Sequence, residues 1–356
     1  MRAAFDSLPR QAGPIGSPVS PMAERAQRIA SFLAASGWAG VTHRPLAGDA
    51  SFRRYHRLAS GERRAVLMDA PPPQEDVRPF MARARLLLEL GFSAPRILAA
   101  DEAAGMLLLE DFGDDTYTRL IAAGRDEMPL YALAVDVLVA LHRVFDPAGT
   151  DVPPYDESRL LAEAALLVDW YLPAITGKST PPDLREEYLG LWRALLPVAR
   201  GAPESLVLRD YHVDNLMLLP NRRGTAACGL LDFQDAVVGP TSYDLVSLLE
   251  DARRDVPGAV SEAMRARYLA AFPALDRDAF LASYAVLGAQ RNCKIVGIFT
   301  RLCVRDGKPA YLVHIPRVWR LVEHALGNPV LAPISGWLDR HIPPALRRIP
   351  PCPAAP

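Results

Sequence analysis

The hydrophobic pattern of the chain changes near residue 115, and this change limits the folds that are open to it. Before that point come short apolar runs typical of strands, such as RRAVLMDA and GMLLLEDFGD, with the helical segment RPFMARARLLLELG among them. After that point helical periodicity dominates, and one pair of short strands interrupts it, at about Asn215 to Leu219 and Ala227 to Leu231. The sequence therefore predicts an α+β architecture, in which a small sheet lobe precedes a larger helical lobe.

A chain of 356 residues is longer than most single domains, and we divide it into four segments. Residues 1–22 lack the apolar core of a secretory signal and are expected to form a flexible leader. Residues 23–115 and 116–340 are the two predicted lobes. Residues 341–356 contain paired prolines and the segment IPPCPAAP, so we expect a flexible tail.

Charge and hydropathy exclude several classes of partner. The 40 basic and 41 acidic residues give a net charge of -1, so nothing favours binding to nucleic acid or to an anionic membrane. The most apolar later stretches, such as KIVGIFTRLCV, are too short and too charged to span a bilayer. We expect a soluble monomer that binds a small molecule.

The cysteines indicate the compartment. Cys228, Cys293, Cys303 and Cys352 lie far apart and form no Cys-x-x-Cys motif, so neither a zinc site nor a disulfide framework is predicted. The reducing cytoplasm is therefore the expected location.

Three oxygen-bearing side chains lie beside apolar segments in the second half of the chain. Asp210 and Asn215 belong to LVLRDYHVDNLMLL, and Asp232 follows the apolar run of GLLDFQDA. Phosphoryl transfer needs a carboxylate beside the acceptor hydroxyl and oxygen ligands for Mg²⁺ on the nucleotide phosphates. The Asp-x-x-x-x-Asn spacing alone is weak evidence, because Asp210 could instead be a turn or cap residue. Together, the loop, the strand pair and the second Asp favour a phosphoryl-transfer site.

These motifs resemble those of the aminoglycoside phosphotransferase and choline kinase superfamily, from about Trp38 to Leu331. More narrowly, GDASFRRYHRL, VLMDAPPPQED, LLLEDFGD and GAQRNCKIVGIFTRLCVRDGKPAYL resemble the bacterial N-acetylmuramate/N-acetylglucosamine 1-kinases of cell-wall sugar recycling. The resemblance implies a bilobal protein-kinase-like fold with a nucleotide-binding first lobe and a catalytic, acceptor-binding second lobe. It also implies ATP, Mg²⁺ and phosphorylation of the anomeric hydroxyl of an amino sugar.

The resemblance also implies roles for individual side chains. Asp210 would be the catalytic base, and Asn215 and Asp232 would be the Mg²⁺ ligands. The phosphate-covering loop and the hinge near adenine would contribute Gly48, Ser51, Phe52, Glu110 and Phe112. An ordinary turn and a plain hairpin end are the alternatives for these two segments.

One expected residue is missing from the sequence. Kinases of this fold usually carry a Lys on the third strand, where RRAVLMDA has Met68 and Asp69. The lysines of the chain all lie outside the sheet lobe: Lys178, Lys294 and Lys308. We expect Arg53 or Arg54 to bind the phosphates instead, with solvated strand residues as the alternative.

The acceptor site is predicted from Asp235 and from Arg291, Asn292 and Lys294. Asp235 could accept bonds from sugar hydroxyls or cap a helix, and the other three could bind a carboxylate and an acetyl carbonyl or form a solvated helix face. Their cationic character favours a neutral or anionic sugar over an aminoglycoside or choline. A non-catalytic nucleotide-binding pseudokinase is the remaining alternative.

Overall fold

The structure is a computed structural model that describes residues 21–46 and 52–352 of the chain. Its first part contains the strands β1 (His43–Pro45), β2 (Arg54–Ser60), β3 (Arg63–Asp69), β4 (Ile97–Asp101) and β5 (Met106–Leu109), with the helices α1 (Pro21–Ala35) and α2 (Arg78–Glu89). The strands form one antiparallel sheet in the order β1-β2-β3-β5-β4. The predicted small sheet is therefore present, and α1 begins within the last two residues of the predicted leader.

Two tight turns define the hairpins of this sheet. β2 and β3 are joined by a two-residue turn in which Gly61 adopts a φ of 59°. β4 and β5 form the hairpin predicted from the sequence, and its turn ends at Gly105, with a φ of 65°. A Cβ atom at Gly105 would lie 2.0 Å from the carbonyl oxygen of Ala70, so only glycine fits there.

Alternation along the strands gives the sheet two different faces. On the outer face, Leu58 packs with Leu33 and Trp38 in a small apolar cluster beneath α1. On the inner face, Met68 joins Phe80 of α2 in a core that continues into the helical part. The inner face is thus the one that meets the rest of the molecule.

The remainder of the described chain is mostly helical. Its helices are α3 (Tyr117–Ala122), α4 (Glu127–Val144), α5 (Glu157–Leu166), α6 (Leu172–Thr176), α7 (Pro182–Ala199), α8 (Ser242–Leu249), α9 (Gly258–Ala271), α10 (Arg277–Val304), α11 (Ile315–Leu326) and α12 (Ala332–His341). The 28-residue α10 is buried along most of its length and packs against α5, α7, α8 and α11. Within the described ranges, no helix combines the length and apolarity needed to cross a membrane.

Two pairs of short strands interrupt the helices, where the sequence predicted one. β6 (Glu204–Val207) pairs with β9 (Val237–Pro240), and β7 (Leu216–Leu218) pairs with β8 (Cys228–Leu230), the predicted pair. β6 leads directly into the predicted catalytic segment, and β8 ends just before Asp232. The two pairs therefore fix the chain on both sides of the predicted site residues.

The C-terminal segment differs from the predicted flexible tail as far as residue 352. The Tyr171 hydroxyl lies 2.7 and 2.8 Å from the carbonyl oxygens of Leu346 and Arg348, either of which can accept its proton, and it accepts from the Arg348 amide at 2.9 Å. Ile342 is fully buried in the helical core. The described part of this segment is therefore packed against the helices, and Tyr171 holds its backbone.

The cysteines also differ from the prediction. Cys303, at the end of α10, forms a disulfide with Cys352, and their Cα atoms lie 6.3 Å apart. Cys228 and Cys293 are free and buried. The expectation of no disulfide was wrong because a separation of 49 residues carries no signal until the C-terminal segment is seen to return to α10.

Candidate active site

A cleft of about 620 Å³ lies between the inner face of the sheet and the β7–β8 pair with the segments that flank it. Side chains of the sheet side, including Arg53 and Phe112, face Asn215, Asp232 and Asp235 across it. Residues that are distant in sequence thus converge on one concave surface, the usual form of a small-molecule site.

The segment between β6 and β7 carries Asp210 and is held from behind by α8. The Asp244 carboxylate accepts hydrogen bonds from the amides of Leu208 and Arg209, at 2.6 and 2.9 Å. Burial raises the pKa of Asp244 to about 7, although these two amides favour the charged form. Asp244 therefore fixes the backbone just before Asp210.

Asn215 lies at the end of the same segment and is tied to its beginning. Its Nδ2 donates to the carbonyl oxygen of Asp210 at 2.9 Å, which orients the amide. Since the nitrogen is used in this bond, the amide oxygen is the atom available as a ligand. The five-residue spacing between Asp210 and Asn215 thus closes a loop, as predicted from the sequence.

Asp232 follows β8 in a left-handed conformation, with a φ of 58°. Its carboxylate accepts a hydrogen bond from Gln234 Nε2 at 2.7 Å, and 41% of its side chain remains exposed. Burial by the surrounding protein raises the pKa of Asp232, and the nearby negative charge of Asp210 raises it further. A cation between the two carboxylates would relieve this repulsion.

The donor set fits a magnesium ion that arrives with phosphate. Within the described residues, no three His, Cys, Asp or Glu side chains are grouped closely enough to hold a metal. Mg²⁺ is commonly bound by one or two carboxylates together with substrate phosphates and water. Asn215 and Asp232 supply such a partial set on one wall of the cleft.

The structure distinguishes between the two arginines predicted to bind phosphate. Arg53 lines the cleft, where its Nε donates to Glu75 at 3.1 Å and its Nη1 lies 3.9 Å from Asp232. Arg54 lines a separate cavity of about 860 Å³ beneath α1, on the outer face of the sheet. Because side chains alternate along a strand, Arg54 cannot share the cleft with Arg53, and its assignment to the nucleotide is corrected.

Arg57 of β2, which was not predicted as a site residue, also faces the cleft, four residues after Arg53, which immediately precedes the strand. It forms ion pairs of 2.7 Å with both Asp111 and Asp114, in the segment after β5. The period of two along the strand was the signal that could have found it. Its two carboxylate partners hold its guanidinium near the hinge.

Three residues were predicted in the phosphate-covering loop and two in the hinge. Gly48 and Ser51 are outside the described residues, while Phe52 is 68% exposed and donates through its amide to Glu75 at 3.1 Å. In the hinge, Glu110 lines the cleft, with its carboxylate bound by Arg222 and by Arg96. The Glu110 carboxylate is thus held by two cations.

Phe112 forms the end of the cleft near the hinge. Its ring lies beneath the Arg222 guanidinium, 5.2 Å from the ring centroid, and against the backbone of Gly229. A Cβ atom at Gly229 would come within 2.8 Å of the ring, so glycine makes room for it. An aromatic ring in this place offers a flat apolar wall for a planar ligand.

Comparison with known proteins places this cleft in a family. The sequence model described as "Phosphotransferase enzyme family" matches residues 42–281, about two thirds of the chain. The chain belongs to this phosphotransferase enzyme family. A protein of Caulobacter vibrioides named N-acetylmuramate/N-acetylglucosamine kinase is 41% identical, over 91% of this chain and 99% of its own. A protein of the same name from Pseudomonas aeruginosa is 40% identical, over 86% and 91% respectively.

Solved structures share the fold of this phosphotransferase family chain at low sequence identity. The choline kinase LicA from Streptococcus pneumoniae superimposes with a TM-score of 0.60 at 12% identity, over 86% of this chain and all of its own. The GDP complex of an aminoglycoside 2'-phosphotransferase-IIIa mutant gives 0.59 at 17% identity, over 87% and 99%. The fold is therefore the bilobal protein-kinase-like fold that the sequence predicted.

The predicted acceptor residues of this phosphotransferase separate into two groups. Asp235 lines the cleft. Arg291 and Asn292, in contrast, are buried in α10, where they donate to the Glu250 carbonyl and carboxylate at 3.3 and 2.8 Å. Lys294 is also buried, with its Nζ 3.0 Å from a carboxylate oxygen of Glu163. Since α10 is central to the helical core, its polar groups pair internally, which corrects both the acceptor and the solvated-face readings.

Two further residues of the cleft were not predicted. Arg253, after α8, lines the cleft and forms an ion pair of 2.9 Å with Asp214, which also accepts a hydrogen bond from Thr118. Burial raises the pKa of Asp214, but its bonds to Thr118 and Arg253 outweigh burial and lower it. Asp214 immediately precedes Asn215, so proximity to the motif was the available signal.

Proposed function

We propose that the chain transfers the γ-phosphoryl group of ATP to the anomeric (C1) hydroxyl of N-acetylmuramate and N-acetylglucosamine. The observation that carries this proposal is the shared name of curated relatives that are 34–41% identical over 76–91% of the chain. Two observations support it: Asn215 and Asp232 line one cleft, and Asp210 lies close to both, since its carbonyl oxygen binds Asn215 and its charge raises the pKa of Asp232. A role in peptidoglycan recycling follows from these substrates.

Asp210 serves as the general base in this proposal. Its carboxylate accepts the proton of the C1 hydroxyl while that oxygen forms a bond to the γ-phosphorus and the bond from phosphorus to the bridging β,γ-oxygen breaks. ADP leaves with the electron pair of the broken bond, and no phosphoenzyme forms. The hold of Asp244 on the preceding amides keeps Asp210 in place for this transfer.

The nucleotide phosphates would lie between the sheet and the loops. Asn215 and Asp232 would hold Mg²⁺, which neutralises negative charge on the phosphate oxygens. Arg53 takes the place of the missing lysine, because its guanidinium lies beside Asp232 and is oriented by Glu75. Phe112 and the hinge backbone near Glu110 form the adenine end, with the loop at Gly48, Ser51 and Phe52 over the phosphates.

In this proposal each lobe has its own task. Residues 23–115 bind the nucleotide, and residues 116–340 carry the base, the metal ligands and the acceptor site, with Asp235 facing the sugar. Use of ATP supports a cytoplasmic location, and we propose that the enzyme acts as a monomer.

Two other functions are less well supported. The choline kinase and the aminoglycoside phosphotransferase named above share the fold at only 12% and 17% identity, whereas the sugar kinases are far more similar. A pseudokinase would explain the missing lysine, but Arg53 offers a cation in the cleft and the base and both metal ligands are retained. An amino-sugar kinase therefore accounts for more of the chain.

A coupled assay of ADP release with ATP and Mg²⁺ tests the proposal against N-acetylmuramate, N-acetylglucosamine, glucose, choline and kanamycin. We expect turnover with the two N-acetylated sugars, and NMR of the product should place the phosphate on C1. Asp210→Asn should fold normally and lose about 10²- to 10⁴-fold in kcat, the usual worth of general base catalysis. Turnover only with choline or kanamycin, or no turnover with nucleotide bound, would overturn the proposal.

A further inference from the structure

The residue before the proposed base has a backbone conformation that its surroundings must maintain. Arg209 has a φ of 71°, a left-handed conformation that residues with a Cβ atom seldom adopt. The Asp244 carboxylate holds the amide of Arg209, and Ser247 Oγ donates to its carbonyl oxygen at 3.3 Å. These contacts fix the backbone, while the guanidinium is held by other residues.

The Arg209 side chain extends to α5 and back to the cleft. Its Nη2 donates to Glu163, and its guanidinium lies over the ring of Tyr155, 5.8 Å from the centroid. Its Nη1 also lies 3.5 Å from the carbonyl oxygen of Asp235, which lines the cleft. The Arg209 guanidinium thus connects the segment that carries Asp210 to Asp235, the proposed acceptor residue.

The Glu163 carboxylate is bound on both oxygens. Oε1 accepts from Arg209 and from Lys294 Nζ, the latter at 3.0 Å, and Oε2 accepts from the Tyr155 hydroxyl. Burial raises the pKa of Glu163, but the charges of Lys294 and Arg209 outweigh it and hold the pKa at about 2. With only 12% of its side chain exposed, Glu163 is a fixed anion that connects α5, α10 and the segment of the base.

We propose that Glu163 is a positioning residue for phosphoryl transfer, and that it acts through Arg209 to hold Asp210 and the Asp235 backbone in register. This inference rests on the proposed function, because it concerns the same reaction. The carboxylate is required because a charged partner binds a guanidinium more strongly than a neutral amide does. If Arg209 is released, the strained backbone before Asp210 loses its side-chain anchor, and the base moves relative to the acceptor.

The test compares Glu163→Gln with Glu157→Gln, a matched change on the same helix, where Glu157 is half exposed and pairs with Arg193 at the surface. We expect Glu163→Gln to lower kcat by about tenfold or more, as a misplaced catalytic group does, while the KM for ATP changes less than twofold. Glu163→Asp, which keeps the charge, should lie between wild type and Glu163→Gln. Glu157→Gln should match wild type.

A double-mutant cycle with Arg209→Met identifies the route of the effect. Because Glu163 acts through Arg209, adding Glu163→Gln to Arg209→Met should cost less than a further twofold in kcat. The inference would be overturned if the loss of kcat in the double variant equalled the product of the two single losses, or if Glu163→Gln had the kcat of wild type. Either result would leave the sugar kinase proposal intact.

Hydrogen exchange gives a readout that needs no acceptor. Amides of residues 208–212 should exchange faster in Glu163→Gln than in wild type, whereas amides of α12 should be unchanged. Unchanged exchange at 208–212 contradicts the positioning role, even if the wild-type protein is inactive on N-acetylated sugars. The two proposals can therefore fail separately.

Discussion

Replacing Arg53 by methionine tests which cation compensates for the missing lysine. Arg53 is oriented by Glu75 at 3.1 Å, and its Nη1 lies 3.9 Å from Asp232. Its guanidinium therefore faces the place where Asp232 and Mg²⁺ would meet the phosphates. Methionine keeps an apolar stem of similar length, so the change removes the charge and its hydrogen bonds with little loss of packing.

The expected loss follows from the kind of contact that is removed. A hydrogen bond to a charged group contributes about 1.5–3 kcal/mol. At about 1.4 kcal/mol for each factor of ten, Arg53→Met should lower kcat/KM for ATP by about 10- to 100-fold. Arg53→Lys should lose less, because an ammonium keeps the charge but cannot reproduce the two-pronged geometry of a guanidinium.

Steady-state kinetics with varied ATP measure this loss, and Arg54→Met is the matched control. Arg54 is the neighbouring residue in sequence and carries the same charge, but it lines the cavity beneath α1. We expect Arg54→Met to keep kcat/KM within twofold of wild type. An equal loss in both variants would mean that overall charge is responsible, and no loss in Arg53→Met would refute the assignment.

Further predictions concern the metal ligands and a buried acid. Asn215→Ala and Asp232→Ala should each raise the Mg²⁺ concentration for half-maximal activity by at least about tenfold, since each removes an oxygen ligand, and unchanged metal titrations would contradict these assignments. Burial raises the pKa of Glu250 from 4.5 to about 7, although Asn292 partly opposes the shift, so its contribution to stability is full below pH 4.5 and is lost as the pH rises through 7. In the wild-type protein the free energy of unfolding should fall by up to about 3 kcal/mol as the pH rises through this range, and Glu250→Gln should abolish that part of the fall. Urea denaturation at several pH values measures it, and the same fall in the variant would refute the assignment.

Local sequence signals predicted the features that depend on neighbouring residues. The β4–β5 hairpin is marked by two short apolar runs joined by a turn that ends in glycine, and the loop from Asp210 to Asn215 is closed by a hydrogen bond within six residues. Such elements depend on the spacing of residues along the chain, so the sequence is sufficient to predict them. Their position relative to each other in the cleft followed only from the family resemblance.

The direction and burial of side chains could not be predicted from the local sequence. Arg53 and Arg54 are equivalent in composition, and only the register of β2 places one in the cleft and the other beneath α1. Arg291 and Asn292 look like exposed binding residues until the packing of α10 surrounds them and Glu250 meets them. In both cases tertiary packing decides which face of an element is available, and packing involves residues far away in sequence.

Contacts from distant parts of the chain also maintain the strained backbone around the site. Among the residues that the structure describes, Arg209 and Asp232 are the non-glycine residues with a φ in the left-handed region. Arg209 directly precedes the proposed base, and Asp232 is a proposed metal ligand. Such a conformation costs about 1–3 kcal/mol and persists only where several contacts determine it. For Arg209 those contacts come from Asp244 and Glu163, 35 and 46 residues away in sequence. The geometry of the site is therefore a property of the assembled helical core, and changes in that core should alter turnover before they alter the fold.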